Sequence, residues 1–188
     1  ELLNNFVAQD KYPAAWSADG RYVLFTTTDH PKTKNDLWIL PMVGERKPIP
    51  WLQTEFNEQS ATFSPDMRWI AYLSDESGKF ELYVEPFIQP DSQLQTRSLP
   101  RVQFSTGGSG VKWRNDGRAF FYTSNDKLMM AELRPSGANI EIVRVTEYFK
   151  PGHETFLMDF SSDGKRILQA VNRPPEKSPP LTLVINWD

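Results

Sequence analysis

One block recurs four times along the chain. Its copies are Ala15-Trp16-Ser17-Ala18-Asp19-Gly20-Arg21, Thr62-Phe63-Ser64-Pro65-Asp66-Met67-Arg68, Lys112-Trp113-Arg114-Asn115-Asp116-Gly117-Arg118 and Asp159-Phe160-Ser161-Ser162-Asp163-Gly164-Lys165. The aspartates Asp19, Asp66, Asp116 and Asp163 are spaced by 47, 50 and 47 residues. Each has an aromatic residue three positions before it (Trp16, Phe63, Trp113, Phe160) and a cation two positions after it (Arg21, Arg68, Arg118, Lys165). A unit repeating at this period is one supersecondary element that cannot bury its apolar face alone, so the copies must stack.

The residues after each aspartate also repeat. Tyr22–Thr27, Trp69–Ser74, Ala119–Ser124 and Arg166–Val171 are short runs rich in β-branched and aromatic residues, which fit strands. A turn-prone stretch follows, then a second apolar run at Leu37–Leu40, Leu82–Val84, Leu128–Met130 and Leu181–Ile185. A weaker third run lies at Ile49–Leu52, Thr96–Val102 and Ile140–Val145. Lys127–Leu133 could be helical in isolation, but its place in the repeat predicts a strand. Gly accepts positive φ and Asp bonds its own backbone two residues on, so each Asp-Gly pair marks a tight turn. Met67 replaces Gly in the second copy, where a type I turn tolerates it.

Four locally paired strands in about 47 residues imply an all-β chain folded as a β-propeller of about four blades. The expected domain is 1–188, with blades at about 7–52, 53–104, 105–149 and 150–188. Residues 1–6 are expected to serve as the outermost strand of the last blade. Such a chain either closes as a small ring, which removes exposed sheet edges, or contributes blades to a larger one. Closure by pairing with a second copy, as a homodimer, is a further arrangement.

Composition narrows the function. The chain has 21 Lys and Arg against 24 Asp and Glu, a net charge of −3, which is no footprint for nucleic acid or an anionic membrane. It has no Cys, so disulfides, Cys-ligated zinc and Cys-based catalysis are excluded. The apolar runs are far shorter than the ~20 residues of a membrane-spanning helix. The chain begins at Glu1 without a signal-peptide pattern, and the expectation is a segment of a longer protein.

The Phe/Trp-Ser-x-Asp-Gly-Arg block, the strand after it and Leu82-Tyr83-Val84-Glu85-Pro86-Phe87 resemble the TolB-like propeller repeats of bacteria, over almost the whole chain. Ser105–Gly108, Trp113–Arg118, Phe121-Tyr122 and Pro180–Trp187 are similar to propeller tails joined to bacterial serine/threonine kinases or winged-helix regulators. The resemblance implies a sensory or protein-interaction module in a signalling protein, periplasmic or otherwise extracytoplasmic. Prolyl-oligopeptidase-type peptidases carry similar blades, so an accessory or gating role beside a hydrolase, or a propeller enzyme, is the alternative. The repeat's residues are structural, and no binding residue transfers with them.

No catalytic constellation is visible, and no metal or cofactor is expected. Carboxylates in separate blades lie too far apart to share a cation at 2.3–2.6 Å, so the four aspartates are turn residues. The four aromatics are expected to pack between blades. His30 and His153 lack a third ligand. Gly107–Gly110 lacks the residues of a nucleophile elbow or a phosphate-binding loop. Glu76 and Lys79, flanking Ser77-Gly78, look like solvated turn charges.

Function is therefore expected in the loops on one face and at the channel mouth, where a rigid scaffold positions them. Asp10–Tyr12, Glu55–Ser60, Ser105–Gly110 and Lys150–Thr155 enter the first strands there. Asp29–Asp36, Asp75–Lys79, Asn125-Asp126 and Arg173–Pro179 share that face. The candidate binding residues are Lys11, Tyr12, Glu58, Gln59, Ser109, His153 and Glu154, facing a protein or small-molecule ligand. His153 and Glu154 with Glu58 are the one set that could support catalysis.

Overall fold

The first three recurring blocks fold as the bends of β-hairpins, and successive hairpins extend into antiparallel sheets. The computed structural model describes residues 10–90, 101–104, 108–136, 139–149, 155–161 and 166–171. The first sheet runs in the order β1 (Lys11–Trp16), β2 (Tyr22–His30), β3 (Lys34–Pro41) and β4 (Ile49–Leu52). The second is β5 (Glu58–Phe63), β6 (Trp69–Ser74), β7 (Glu81–Pro86) and β8 (Val102–Gln103). The third is β9 (Ser109–Trp113), β10 (Ala119–Ser124), β11 (Lys127–Ser136) and β12 (Asn139–Phe149). A two-stranded sheet follows, β13 (Thr155–Phe160) with β14 (Ile167–Val171). The described residues contain no helix, and Lys127–Leu133 is strand, as its place in the repeat predicts.

The bend uses one hydroxyl to close several backbone donors. In the first blade the Ser17 hydroxyl donates to Asp19 Oδ1 at 2.7 Å and accepts from the Tyr22 N–H at 2.8 Å. Ser64 repeats this with Asp66 at 2.6 Å and the Trp69 N–H at 2.9 Å. The Ser161 hydroxyl accepts from the Arg166 N–H at 2.9 Å. The third blade has Arg114 at this place, and its guanidinium grips Asp116 through Nε at 2.9 Å and Nη2 at 2.8 Å. Each aspartate also accepts from the N–H two residues on, at Arg21, Arg68 and Arg118. Asp163 lies outside the described residues.

These bends are type I turns followed by one left-handed residue. Gly20 (φ 72°) and Gly117 (φ 68°) occupy that position without strain. Met67 sits there at φ 58°, so the second bend carries backbone strain that the turn type alone does not reveal. At Asn125-Asp126 both residues have positive φ, the type I′ turn that a two-residue hairpin favours.

The core lies between blades. Tyr22, Leu24, Leu37 and Ile39 of the first face Phe63, Ile70, Tyr72, Tyr83 and Phe87 of the second. Trp69, Leu73, Leu82, Val84 and Phe104 meet Trp113, Phe120, Tyr122 and Leu133 of the third. Edge-to-face ring pairs cross both seams: Tyr22 with Phe87 (5.5 Å), Trp51 with Tyr72 (5.5 Å) and Phe104 with Phe120 (5.3 Å). Lys112 and Asp159, 2.9 Å apart, tie β9 to β13.

Two expectations need correction. Phe63 (7% exposed) and Trp113 (4%) are buried between blades, but Trp16 is 63% exposed. No preceding blade covers its ring among the described residues, and its indole N–H caps the turn by donating to the Gly20 carbonyl at 3.2 Å. The Phe160 side chain is outside the description. Glu76 is a half-buried ion-pair partner of Arg101 at 2.5 Å, not a solvated turn charge, because residues 101–104 return across the blade edge above it. Residues 1–6, the expected outermost strand of the last blade, and the apolar run 181–185 lie outside the described residues, as does most of 96–102.

Candidate functional site

The inner strands β1, β5 and β9 of three consecutive blades converge on an open cavity of about 470 Å³. The first blade lines it with Tyr12, Pro13, Ala14, Thr26, Thr28 and Asn35. The second supplies Gln59 and Ser60, and the third Gly110 and Val111. Pro13, Ser60 and Gly110 occupy one repeat position, three residues before Trp16, Phe63 and Trp113.

A β-bulge falls at that position in β5 and β9 and at the next residue, Ala14, in β1. Register shifts between Pro13 and Ala15, between Gln59 and Thr62, and where β9 skips Gly110 opposite Tyr122/Thr123. Ser60 (φ 56°) and Gly110 (φ 58°) are left-handed. A bulge adds a residue to one strand, bends it and re-aims its side chains. Here the bulged stretches put Pro13 and Ala14, Gln59 and Ser60, and Gly110 and Val111 at the cavity. Among the described residues the lining is uncharged: amides, hydroxyls, one phenol and small apolar groups. Tyr12 is 55% exposed and offers both a ring face and a hydroxyl.

Directly behind the lining the chemistry changes. Neighbouring residues on a strand face opposite ways, so Gln59 meets the cavity while Glu58 enters the seam between the first two blades. Asn35 and Asp36 divide in the same manner. Glu58 and Asp36 are each 1% exposed. The Thr54 hydroxyl donates to Glu58 Oε1, while Oε2 is buried without a partner. Burial pushes the Glu58 carboxyl up to about 7, against the Thr54 bonds, and the nearby Asp36 and Asp75 push the same way. Burial also raises Asp36, against hydrogen bonds from Thr33 (2.8 Å) and Gln53 (3.4 Å) and the influence of His30. Partial burial would raise Asp75 too, but N–H donors of Asn57 at 2.8 and 2.7 Å and the Lys34 charge hold it below the usual carboxylate range.

The structure therefore unites Tyr12 and Gln59 at the cavity and places Lys11 beside them at the start of β1. Glu58 is adjacent but buried, so it does not reach a ligand's surface. Ser109 is in β9, with its side chain outside the description. His153 and Glu154 lie outside the described residues. The loops Asp29–Asp36, Glu55–Ser60 and Ser105–Gly110 of the expected face bring Asn35, Ser60 and Gly110 to the cavity, whereas sequence reading missed Pro13, Ala14, Thr26, Thr28 and Val111. The repeat offset from the aromatic, shared with Ser60 and Gly110, could have found Pro13. Thr26 and Thr28 have no such signal, since a strand's sequence does not say which of its ends meets a channel. Among the described residues no group of three or more His, Asp or Glu is placed to hold a metal ion.

No protein-family model matches the chain, and no curated protein matches it. Solved structures do. TolB from Acinetobacter baumannii matches with a TM-score of 0.60 at 18% identity, over 89% of this chain and 39% of that one. The periplasmic gluconolactonase PpgL of Pseudomonas aeruginosa matches with a TM-score of 0.54 at 17% identity, over 85% and 50%. An acylaminoacyl peptidase matches with a TM-score of 0.51 at 17% identity, over 86% and 28%. The chain thus spans half or less of the length of these structures. At such identities the likeness concerns the fold, and it agrees with the radial sheets, the interblade aromatic seams and the inner-strand cavity: the chain has the fold of a TolB-like β-propeller.

Proposed function

We propose that this domain is a non-catalytic recognition module, a sensor or protein-interaction propeller that holds its ligand among the bulged inner strands. The observation that carries this reading is the cavity itself. Three blades contribute bulged inner strands to one open space, and its described lining holds neutral donors and acceptors, with no nucleophile beside a base. A neutral polar lining suits an uncharged polar ligand, such as a stretch of peptide backbone or a sugar, because a buried charge without a partner is costly. The resemblance to propeller tails of bacterial kinases and winged-helix regulators supports a place in a larger signalling protein. The TolB and periplasmic lactonase structures support an extracytoplasmic setting.

The test uses saturation-transfer NMR with neutral disaccharides and with N-acetylated dipeptide amides. Binding to the wild type that is lost in a folded Gln59→Ala variant supports the assignment. Binding that persists unchanged in Gln59→Ala and Tyr12→Ala removes the cavity from consideration. Hydrolysis of glucono-1,5-lactone or an aminoacyl 4-nitroanilide that disappears in the same variants replaces recognition with catalysis.

A further inference from the structure

Two carboxylic acids lie in the seam that forms one wall of the cavity, and recognition at the lining uses neither. Asp36 is in β3 of the first blade, and Glu58 opens β5 of the second. Each has one oxygen hydrogen-bonded, while Asp36 Oδ1 and Glu58 Oε2 are buried without a partner. As carboxylates they would hold two negative charges together in a buried seam, a costly arrangement. As a neutral carboxyl Glu58 loses its charge, and with it the repulsion from Asp36.

Proton bookkeeping around Asp36 points the same way. The single hydroxyl proton of Thr33 is shared between Asp36 Oδ2 at 2.8 Å and His30 Nδ1 at 2.6 Å. The backbone N–H groups of Lys32 (3.4 Å) and Thr33 (3.2 Å) also approach Nδ1, so that nitrogen acts as an acceptor. The Thr33 hydroxyl and the Gln53 amide both donate to Asp36 Oδ2, which leaves Glu58 the more poorly supplied of the two acids.

The surrounding charges offer the two acids little relief. Those bearing on Glu58 are acidic, Asp36 of β3 and Asp75 after β6. His30, at the end of β2, bears on Asp36. Lys34 acts on Asp75. Lys11 of β1 and Lys112 of β9 belong to the strands flanking β5, and Lys112 is paired with Asp159. Tyr72 of β6 donates its hydroxyl to Glu85 at 2.7 Å.

From this geometry we infer that the seam between the first two blades is a proton-held catch: neutral Glu58 beside Asp36 keeps it closed, and loss of the Glu58 proton loosens it and shifts Asn35 and Gln59 apart at the cavity. The effect on ligand binding rests on reading that cavity as the binding site. The response of the seam itself does not.

The test is therefore ligand-free. Amide hydrogen exchange of the whole chain is followed at pH 5.5, 6.5, 7.5 and 8.5, with intrinsic rates divided out. Protection of the amides of residues 36–40 and 59–63 should fall at least tenfold across this range, while β10 and β11 stay level; a tenfold change in opening corresponds to one unit of pKa shift. Glu58→Gln, a neutral isostere, should remove most of the fall, and Asp36→Asn should reduce it. A uniform change in all blades, or an undiminished fall in both variants, overturns the catch. If Glu58→Gln does not fold, Asp36→Asn and the localisation of the wild-type response decide. A pH-dependent seam with no binding of the neutral probes would leave the catch standing and retire the recognition site.

Discussion

The serine of the recurring block gives the sharpest test of how these blades are held, because the protein contains its own control. Ser64 is almost wholly buried, donates to Asp66 at 2.6 Å and accepts from the Trp69 N–H at 2.9 Å and the Arg68 N–H at 3.2 Å. In Ser64→Ala the Trp69 N–H loses its acceptor inside the core, a loss of about 1–3 kcal/mol. Asp66 retains the Arg68 N–H at 3.1 Å, so its carboxylate is not stranded. The net cost expected is about 2 kcal/mol, near the centre of that range. In the third blade Arg114 does the corresponding work with a partly exposed ion pair, and the bend keeps its backbone bonds from Arg114 N–H to the Ala119 carbonyl and from Gly117 N–H to the Arg114 carbonyl, both 2.8 Å. Arg114→Ala should cost less than about 1 kcal/mol. Urea unfolding followed by tryptophan fluorescence measures both. With a slope of about 2 kcal/mol per molar, Ser64→Ala moves the midpoint down by about 1 M and Arg114→Ala by less than half of that. Equal shifts, or a larger one for Arg114→Ala, would refute the view that the buried hydroxyl, rather than the aspartate, is the keystone of the bend.

Further outcomes follow from individual residues. Gly20→Ala should destabilise by about 1 kcal/mol through its left-handed φ alone, since a Cβ there meets no neighbour within 4 Å; a thermal melt that does not move would contradict this. Trp113→Ala should cost about 3–5 kcal/mol as a large core truncation, whereas Trp16→Ala, at the same repeat position but exposed, should cost under about 1 kcal/mol. Paired denaturation curves check this difference, and equal losses would mean that Trp16 is covered. Glu58 binds its proton more tightly folded (about 7) than the ordinary 4.5, so its contribution is full below pH 4.5 and lost as pH rises toward 7. That is a loss of about 3 kcal/mol, which Glu58→Gln should recover at pH 8 and not at pH 4.5. The lowered Asp19, Asp75 and Asp116 act oppositely and remove stability as pH falls through the carboxylate range, so the optimum should be mildly acidic.

Much of this protein is written in the order of its residues alone. The spacing of the aspartates, the runs after them and the turn chemistry of Asp, Asn and Gly are local facts, and local facts set strand, bend and repeat period. They specify the hairpins, and the repeat specifies that the hairpins stack. Other properties depend on what a neighbouring blade brings, and no local pattern carries that. Trp16, Phe63 and Trp113 share one repeat position, yet one is exposed and two are buried, because burial belongs to the adjoining blade. Glu58 reads as a loop-mouth acid beside Gln59, but a strand's alternation sends one residue to the channel and the other into the seam. The cavity, the three neighbouring bulges and the proximity of Asp36 to Glu58 arise only when β3, β5 and β9, distant in sequence, are brought side by side. Packing between blades decides which polar groups keep water and which must find a proton, and that is a property of the tertiary structure.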